Sequence, residues 1–502
     1  MLTHAPDNQA VSEDERIIAM GAKEAAERFA INKTIDYLFQ DPDKHVGKIL
    51  DAIDKFAPST VFPEQRSVIR NAYEQRNNWY QFILRLVSLD EEYAKRLLKI
   101  LIVEANLLAW PEQEKSREKH ECNIPWAILL DPTSACNLSC TGCWAADYGH
   151  SLNLSFETID SIIEQGKALG THLYIYTGGE PLVRKKDLIR ICEKHQDCAF
   201  LSFTNGTLID EDFCAEMKRV ANFVPAISVE GFEEATDKRR GEGTFQAVAD
   251  AMKLMRENGL AFGTSCCYTS ENASSIGSEE FFDWQVEQGA LFTWIFTYMP
   301  IGQGAPTSLM ASAQQREDLY HFVREMREKK PLFAMDFWGD GEYVGGCIAG
   351  GRRYLHINAR GDVEPCVFAH YSGANIHDVS LLDALKQPLF MEYHRGQPFN
   401  DNLLRPCPML DNKDALAKMV ERSGAHPTDL VGAESAADLC AKCHSHIDEW
   451  EPVAQRLWDD PNDPTFEHRH DGTRGMSVSD MNKFKRIGRQ FQGVDGKLSW
   501  GR

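Results

Sequence analysis

The sequence predicts an α/β protein whose core is a partial (β/α)6 barrel, shorter than the full eight-fold barrel. Three observations predict it. Six short apolar runs, rich in β-branched and aromatic residues, lie between residues 126 and 298. Stretches of helical spacing separate them. Polar or glycine-rich turns follow several of the runs at the same end, where parallel α/β folds bind their ligands.

The runs are Trp126–Leu130, His172–Tyr176, Ala199–Phe203, Pro225–Val229, Phe262–Tyr268 and Phe292–Tyr298. Helices are expected to begin near Ser155, Lys186, Asp210, Thr244 and Ser278, and another near Ser312 after the last strand. Strand–helix alternation of this kind calls for a parallel sheet.

Residues 1–120 read as a helical N-terminal domain. Glu13–Leu38 and Asn78–Trp110 carry apolar residues at three- and four-residue spacing, and Pro42, Pro58 and Pro63 punctuate the region. Pro111 and the charged run Glu112–Lys119 read as a linker. Residues 121–330 form the core. Residues 331–455 break the alternation and hold five cysteines, which suggests a small metal-organised domain. Residues 456–502 read as a polar, partly disordered tail. Its end, Arg474–Arg502, holds seven Lys or Arg against two Asp.

The formal charge of −21 argues against a nucleic-acid partner, because such a surface repels phosphates. No export signal is read at the N-terminus. The longest apolar-rich stretch, Leu97–Trp110, is interrupted by Lys99, Glu104 and Asn106, so no transmembrane span is expected. A cytoplasmic location follows as the expectation. There the 14 cysteines should be reduced, so metal or catalytic use outweighs disulfides.

Cys136, Cys140 and Cys143 follow directly on the first strand with CxxxCxxC spacing. Three thiolates suit an iron–sulfur cluster, which normally takes four, so one iron is left open. A structural zinc site wants a fourth local Cys or His; His150, seven residues on, is badly spaced for it. The second strand ends in Thr177-Gly178-Gly179-Glu180-Pro181, where glycines permit close backbone approach and Glu180 can accept from an ammonium group.

Together these features resemble the radical S-adenosylmethionine (radical SAM) superfamily. The matching residues are the cysteine loop, the Gly-Gly-Glu-Pro turn and the Ser228…Arg239-Arg240 segment, spanning about residues 125–305. The resemblance implies that Cys136, Cys140 and Cys143 ligate a catalytic [4Fe–4S] cluster. It implies that Gly178, Gly179 and Glu180 meet the methionine amino group. Ser228 would contact the ribose or carboxylate, and Arg239 or Arg240 the carboxylate. The aromatic residue usual before the last loop cysteine is replaced by Gly142, with Trp144 after the cysteine instead.

The implied chemistry is reductive cleavage of S-adenosylmethionine to a 5′-deoxyadenosyl radical, which abstracts hydrogen from an unactivated C–H bond. An electron donor such as a flavodoxin or ferredoxin is implied as partner. Cys347, Cys366, Cys407, Cys440 and Cys443 resemble the SPASM auxiliary-cluster extension, and four of the five are expected to bind one further [4Fe–4S] cluster. A zinc knuckle around Cys440 and Cys443, with His444 or His446, is the alternative.

By fold-level analogy the substrate is a peptide or protein. A lipid or other hydrophobic molecule is the alternative, motivated by the segment Trp79–Val87; the same segment also reads as an amphipathic helix packing on the barrel. A non-catalytic metal-binding scaffold is the third reading, which the Gly-Gly-Glu turn disfavours. Cys122, Cys192, Cys198 and Cys214 read as buried small residues. Of Cys266 and Cys267, adjacent on the fifth strand, one should face the barrel interior.

Overall fold

A computed structural model describes residues 22–56, 63–302 and 304–469. Arg474–Arg502 of the expected tail lies outside these residues, as does the start of the Glu13–Leu38 helical run.

The six expected strands are all present: β1 (Ala127–Leu130), β2 (Leu173–Tyr176), β3 (Ala199–Thr204), β4 (Phe223–Ser228), β5 (Gly263–Tyr268) and β6 (Phe292–Thr297). They pair in parallel and in sequence order. Two strands that the sequence does not announce extend the sheet at its two edges. β7 (Phe333–Asp336) pairs parallel with β6, and β8 (Tyr354–Ile357) pairs parallel with β1. The short β9 (Val363–Glu364) closes antiparallel on β8, giving the order β7-β6-β5-β4-β3-β2-β1-β8-β9.

Alternate residues of β1, β2 and β3 enter separate cores, because successive side chains point to opposite faces. Ile128, Leu130, Tyr174, Tyr176 and Phe200 pack outward under the helices. Ala127, Leu129, Leu173, Ile175 and Ala199 line the concave inner face.

The crossover helices begin where side chains can satisfy their first N–H groups. Ser155, Asp210 and Ser278 accept from the backbone three residues on. Ser312 and Gln315 form a reciprocal capping box.

The N-terminal region is a succession of helices over its described residues, from Ala22–Gln40 to Ala109–His120. The expected linker is a helix. Pro111 stands just after the π-helical turns of Lys99–Leu108 give way to α-helix, an irregularity of the kind that accommodates a proline. Gln113 is buried and donates to the Gly170 carbonyl at 2.8 Å. Between these helices, Lys99–Leu108 forms π-helical turns whose Ile100 and Ala105 join the inner core. The segment Asn78–Val87 packs on the barrel: Arg85 donates to the carbonyls of Val286 and Ala290, and Phe82 and Leu86 rest on the outer core. No helix among the described residues is long and apolar enough to cross a membrane.

Candidate active site

The cysteine loop leaves β1 at its carboxyl end and is pinned to the turn after β2. The Gly179 N–H donates to the Thr133 carbonyl at 3.0 Å, and the Glu180 N–H to the Ala135 carbonyl at 2.8 Å. A Cβ on Gly178 would lie 2.7 Å from the Thr133 oxygen, and one on Gly179 2.2 Å from the Ala135 oxygen. The two glycines are therefore required by the approach of the loop's own backbone. Gly178 also has φ +100°, which a side chain disfavours.

Glu180 is buried. Its carboxylate accepts from the Leu182 N–H at 2.9 Å, the Thr204 hydroxyl at 2.7 Å and the Asn205 N–H at 2.7 Å. About one acceptor position of four is left over for a ligand. Burial pushes its carboxyl up, against those three donors.

Arg239 and Arg240 do not form a solvated face. Both pack around the fully buried Glu230, which Arg239 Nη1 meets at 2.5 Å and Arg240 Nε at 2.7 Å. Burial alone would raise the Glu230 carboxyl; the two guanidiniums outweigh it and hold the group below its usual range. The same carboxylate accepts the Cys267 N–H at 2.8 Å. Arg240 Nη1 reaches the Cys140 sulfur at 3.9 Å, and the Thr141 N–H donates to the Arg239 carbonyl at 2.9 Å. A buried cation pair thus stands directly against the cysteine loop.

The loop thiols are not gathered as closely as the ligands of a single ion. Sulfurs around one zinc sit about 2.3 Å from it. Among the described residues, the triads whose ligand atoms gather within 4.8 Å are His172–Asp197–Cys198 and Asp160–Glu164–His195, not the loop cysteines. Burial pushes the Cys136 and Cys143 thiols up.

From this loop a cavity of about 180 Å³ runs along the inner face of the sheet. Thr177, Ser228, Ser265, Arg239 and Arg240 line its polar end. Trp126, Phe203, Trp294, Phe296, Phe337 and Phe368 wall the rest, with Arg353 near the amino ends of the strands. The missing aromatic residue of the loop is replaced from across the barrel. A Cβ at Gly142 would meet the Tyr298 ring at 2.7 Å, so the tyrosine after β6 fills that space.

The C-terminal cysteines divide three and two. Cys347, Cys366 and Cys407 share a cavity of about 60 Å³ walled by residues such as Met299, Trp338, Tyr354, Tyr393 and Leu416. Cys440 and Cys443 lie one turn apart on the helix Ala436–Trp458, buried in the same core. His444 pairs with Asp414 at 2.8 Å. Among the described residues, no single-ion group gathers it or His446 with these two cysteines.

The match of residues 130–276 to the model of the radical SAM superfamily decides the identification. Over these residues the chain carries a radical SAM domain. Its cofactors are those of the family, a [4Fe–4S] cluster and S-adenosylmethionine. The chain is 27% identical over 230 residues to the Fe-coproporphyrin III synthase of Methanosarcina barkeri, covering 43% of this chain and 57% of that protein's length. It is 26% identical over 308 residues to the PqqA peptide cyclase of Gluconobacter oxydans, covering 58% of this chain and 84% of the cyclase. Streptococcus suis SuiB, solved with its precursor peptide SuiA, aligns at TM-score 0.49 and 18% identity over 59% of this chain and 74% of its own.

This radical SAM enzyme also contains site groups that the sequence did not single out. Glu230 is one of them, and nothing in the spacing pairs it with Arg239 and Arg240. A second set lies behind the cysteine loop. His356 of β8 is fully buried between Asp131 at 2.9 Å and Glu364 at 2.7 Å, and its ring meets the edge of Trp144. The Tyr148 hydroxyl donates to Glu364 at 2.7 Å. Burial by itself would strip the proton from His356; Asp131 and then Glu364 outweigh it and raise the imidazolium to about 10. The residues of this network are separated by up to 233 positions, so no local pattern could reveal it.

Proposed function

We propose that this enzyme abstracts hydrogen from an apolar portion of its substrate, seated in the aromatic-walled cavity beside Cys136, Cys140 and Cys143. The cavity is the observation that carries the reading. Arg353 apart, its polar groups cluster at the cysteine-loop end, and its deeper walls are aromatic. A peptide backbone drawn into those walls would lose partners for its N–H and C=O groups, so what enters deeply is an apolar group.

When bound, the three-thiolate cluster and S-adenosylmethionine supply a 5′-deoxyadenosyl radical, generated with an electron from a flavodoxin- or ferredoxin-like donor. The chain's own residues orient and shield. Cys136, Cys140 and Cys143 hold the cluster. Gly178, Gly179 and the remaining acceptor position of Glu180 take the methionine amino group. Ser228 takes the ribose or carboxylate, and the guanidinium of Arg239 or Arg240 neutralises the carboxylate from its anchor on Glu230. The aromatic walls keep water from the reacting carbon.

Cys347, Cys366 and Cys407, with one thiol of the Cys440–Cys443 pair, hold an auxiliary cluster in this reading. In this reading the chain divides into an N-terminal region, a core over 121–330 and an auxiliary region from 331 onward, and it works in the cytoplasm.

The first substrate reading is a peptide or protein presenting an apolar side chain, which the PqqA peptide cyclase supports by name. The second is a hydrophobic small molecule. It is supported by the Fe-coproporphyrin III synthase and by the scarcity of backbone partners deep in the cavity. The test uses the enzyme reconstituted without oxygen, S-adenosylmethionine and a reductant. Peptide and solvent-extracted lipid pools from deuterium-grown cells are added separately. Deuterium should pass from one pool into 5′-deoxyadenosine. Transfer from neither pool, while S-adenosylmethionine is still cleaved, would overturn the substrate reading. No cleavage at all would overturn the enzyme's proposed chemistry.

A further inference from the structure

Cys266 and Cys267 separate as neighbours on a strand must. Cys266 is fully buried in the outer core, whereas Cys267 lines the inner cavity. Three links tie Cys267 to the cysteine loop: its N–H donates to Glu230, Glu230 holds Arg240, and Arg240 reaches the Cys140 sulfur at 3.9 Å. Cys267 is thus a fifth-strand neighbour of the cysteine loop without belonging to either cysteine group.

A second group in the same cavity marks a ligand position. Tyr298 is 2% exposed, its ring lies against Gly142 of the cysteine loop, and its buried hydroxyl has no hydrogen-bond partner. A buried phenol without a partner costs free energy until a polar ligand group arrives to meet it. Tyr298 and Cys267 line one space.

Resting on the function proposed above, we infer that Cys267 is the hydrogen-atom donor that ends the radical reaction. The S–H bond of Cys267 breaks homolytically and a new C–H bond forms on the substrate radical. The sulfur is left as a thiyl radical. One electron from the same class of low-potential one-electron carrier, with one proton from solvent, restores the thiol. An S–H bond is weaker than an alkyl C–H bond, so the transfer runs downhill. The consequence is chemical: hydrogen at the reacting carbon is replaced, not lost. Inversion of a stereocentre is the reaction class that fits. One equivalent of S-adenosylmethionine is consumed for each product.

The test needs no identified substrate. With the substrate position empty, the 5′-deoxyadenosyl radical is itself quenched by the nearby thiol, whose hydrogen exchanges with solvent. The reconstituted enzyme is given S-adenosylmethionine and dithionite in D2O, in thiol-free buffer. The deuterium content of 5′-deoxyadenosine is read by mass spectrometry in the wild type, Cys267→Ala and Cys267→Ser. Singly deuterated product is expected to dominate in the wild type and to fall at least fivefold as a fraction in both variants. Equal labelling in all three, or none in the wild type, overturns the inference; absence of any 5′-deoxyadenosine from the wild type overturns the proposed function instead.

A second readout precedes turnover. In the reconstituted enzyme without reductant, alkylation of Cys267 followed by peptide mass spectrometry should slow at least fivefold when S-adenosylmethionine is added. An unchanged rate places the thiol away from the cofactor and overturns the inference.

Discussion

The two cysteine groups occupy opposite physical environments. Cys136, Cys140 and Cys143 lie within eight residues, on a single loop, beside Glu180, Glu230, Arg239 and Arg240. Cys347, Cys366 and Cys407 come from three separate segments and face walls dominated by apolar and aromatic side chains. The first arrangement suits a centre that must admit a charged, polar cofactor. The second suits a centre kept from water, whose potential is governed by its apolar shell. The difference teaches that the charged neighbours, and not the thiols that both groups possess, set the two environments apart.

The largest effect should come from removing each group in turn. Changing Cys136, Cys140 and Cys143 together to Ala should abolish 5′-deoxyadenosine formation and remove about four irons per chain, leaving about four. The corresponding change at Cys347, Cys366 and Cys407 should remove the other four while S-adenosylmethionine still binds. Iron counting and product assay check both. Loss of all iron in the first variant would break the comparison.

Next in size is the buried network that braces the loop. His356→Gln removes a cation held between Asp131 and Glu364, and should cost about 3–5 kcal/mol of stability by denaturant titration. The pH dependence has a definite sign. The folded-state value of about 10 lies above the ordinary histidine value near 6.5, so the group's contribution is complete below about 6.5 and fades as pH rises through 10. Wild-type stability should therefore fall over that window relative to the variant.

Glu230→Gln leaves Arg239 and Arg240 without their shared carboxylate. The guanidiniums should lose their fixed aim, weakening S-adenosylmethionine binding about tenfold, or about 1.4 kcal/mol, by calorimetry on the reconstituted enzyme. Affinity for S-adenosylmethionine in the Cys347, Cys366 and Cys407 variant should stay within about twofold of wild type, which sharpens the contrast.

The smallest effect is expected at the C-terminal cavity. Tyr354→Phe removes the hydroxyl that meets the Cys366 sulfur, at a cost of about 0.5–1.5 kcal/mol. It should alter the auxiliary cluster's electron-paramagnetic spectrum and leave the loop cluster's spectrum unchanged.

Six strands and the helix starts at Ser155, Asp210, Ser278 and Ser312 were legible because hydrophobic period and capping chemistry act over a few residues. The cysteine loop and the Gly-Gly-Glu turn were legible for the same reason. β7 and β8 were not, since each is four residues long and owes its place to a partner strand already formed. The expected linker at Pro111–Lys119 failed because a charged run is compatible with helix as well as with coil, and only the buried Gln113 contact decides between them.

By itself, then, the sequence determined the local chemistry: which thiols lie together, which turns can approach them, and where the sheet begins. Tertiary structure decided which distant charges met. Glu230 with two arginines, His356 between two carboxylates, and Tyr298 in the space above Gly142 are contacts made only when the sheet curves and closes its inner face. Such contacts depend on packing across the fold, and no spacing along the chain encodes them.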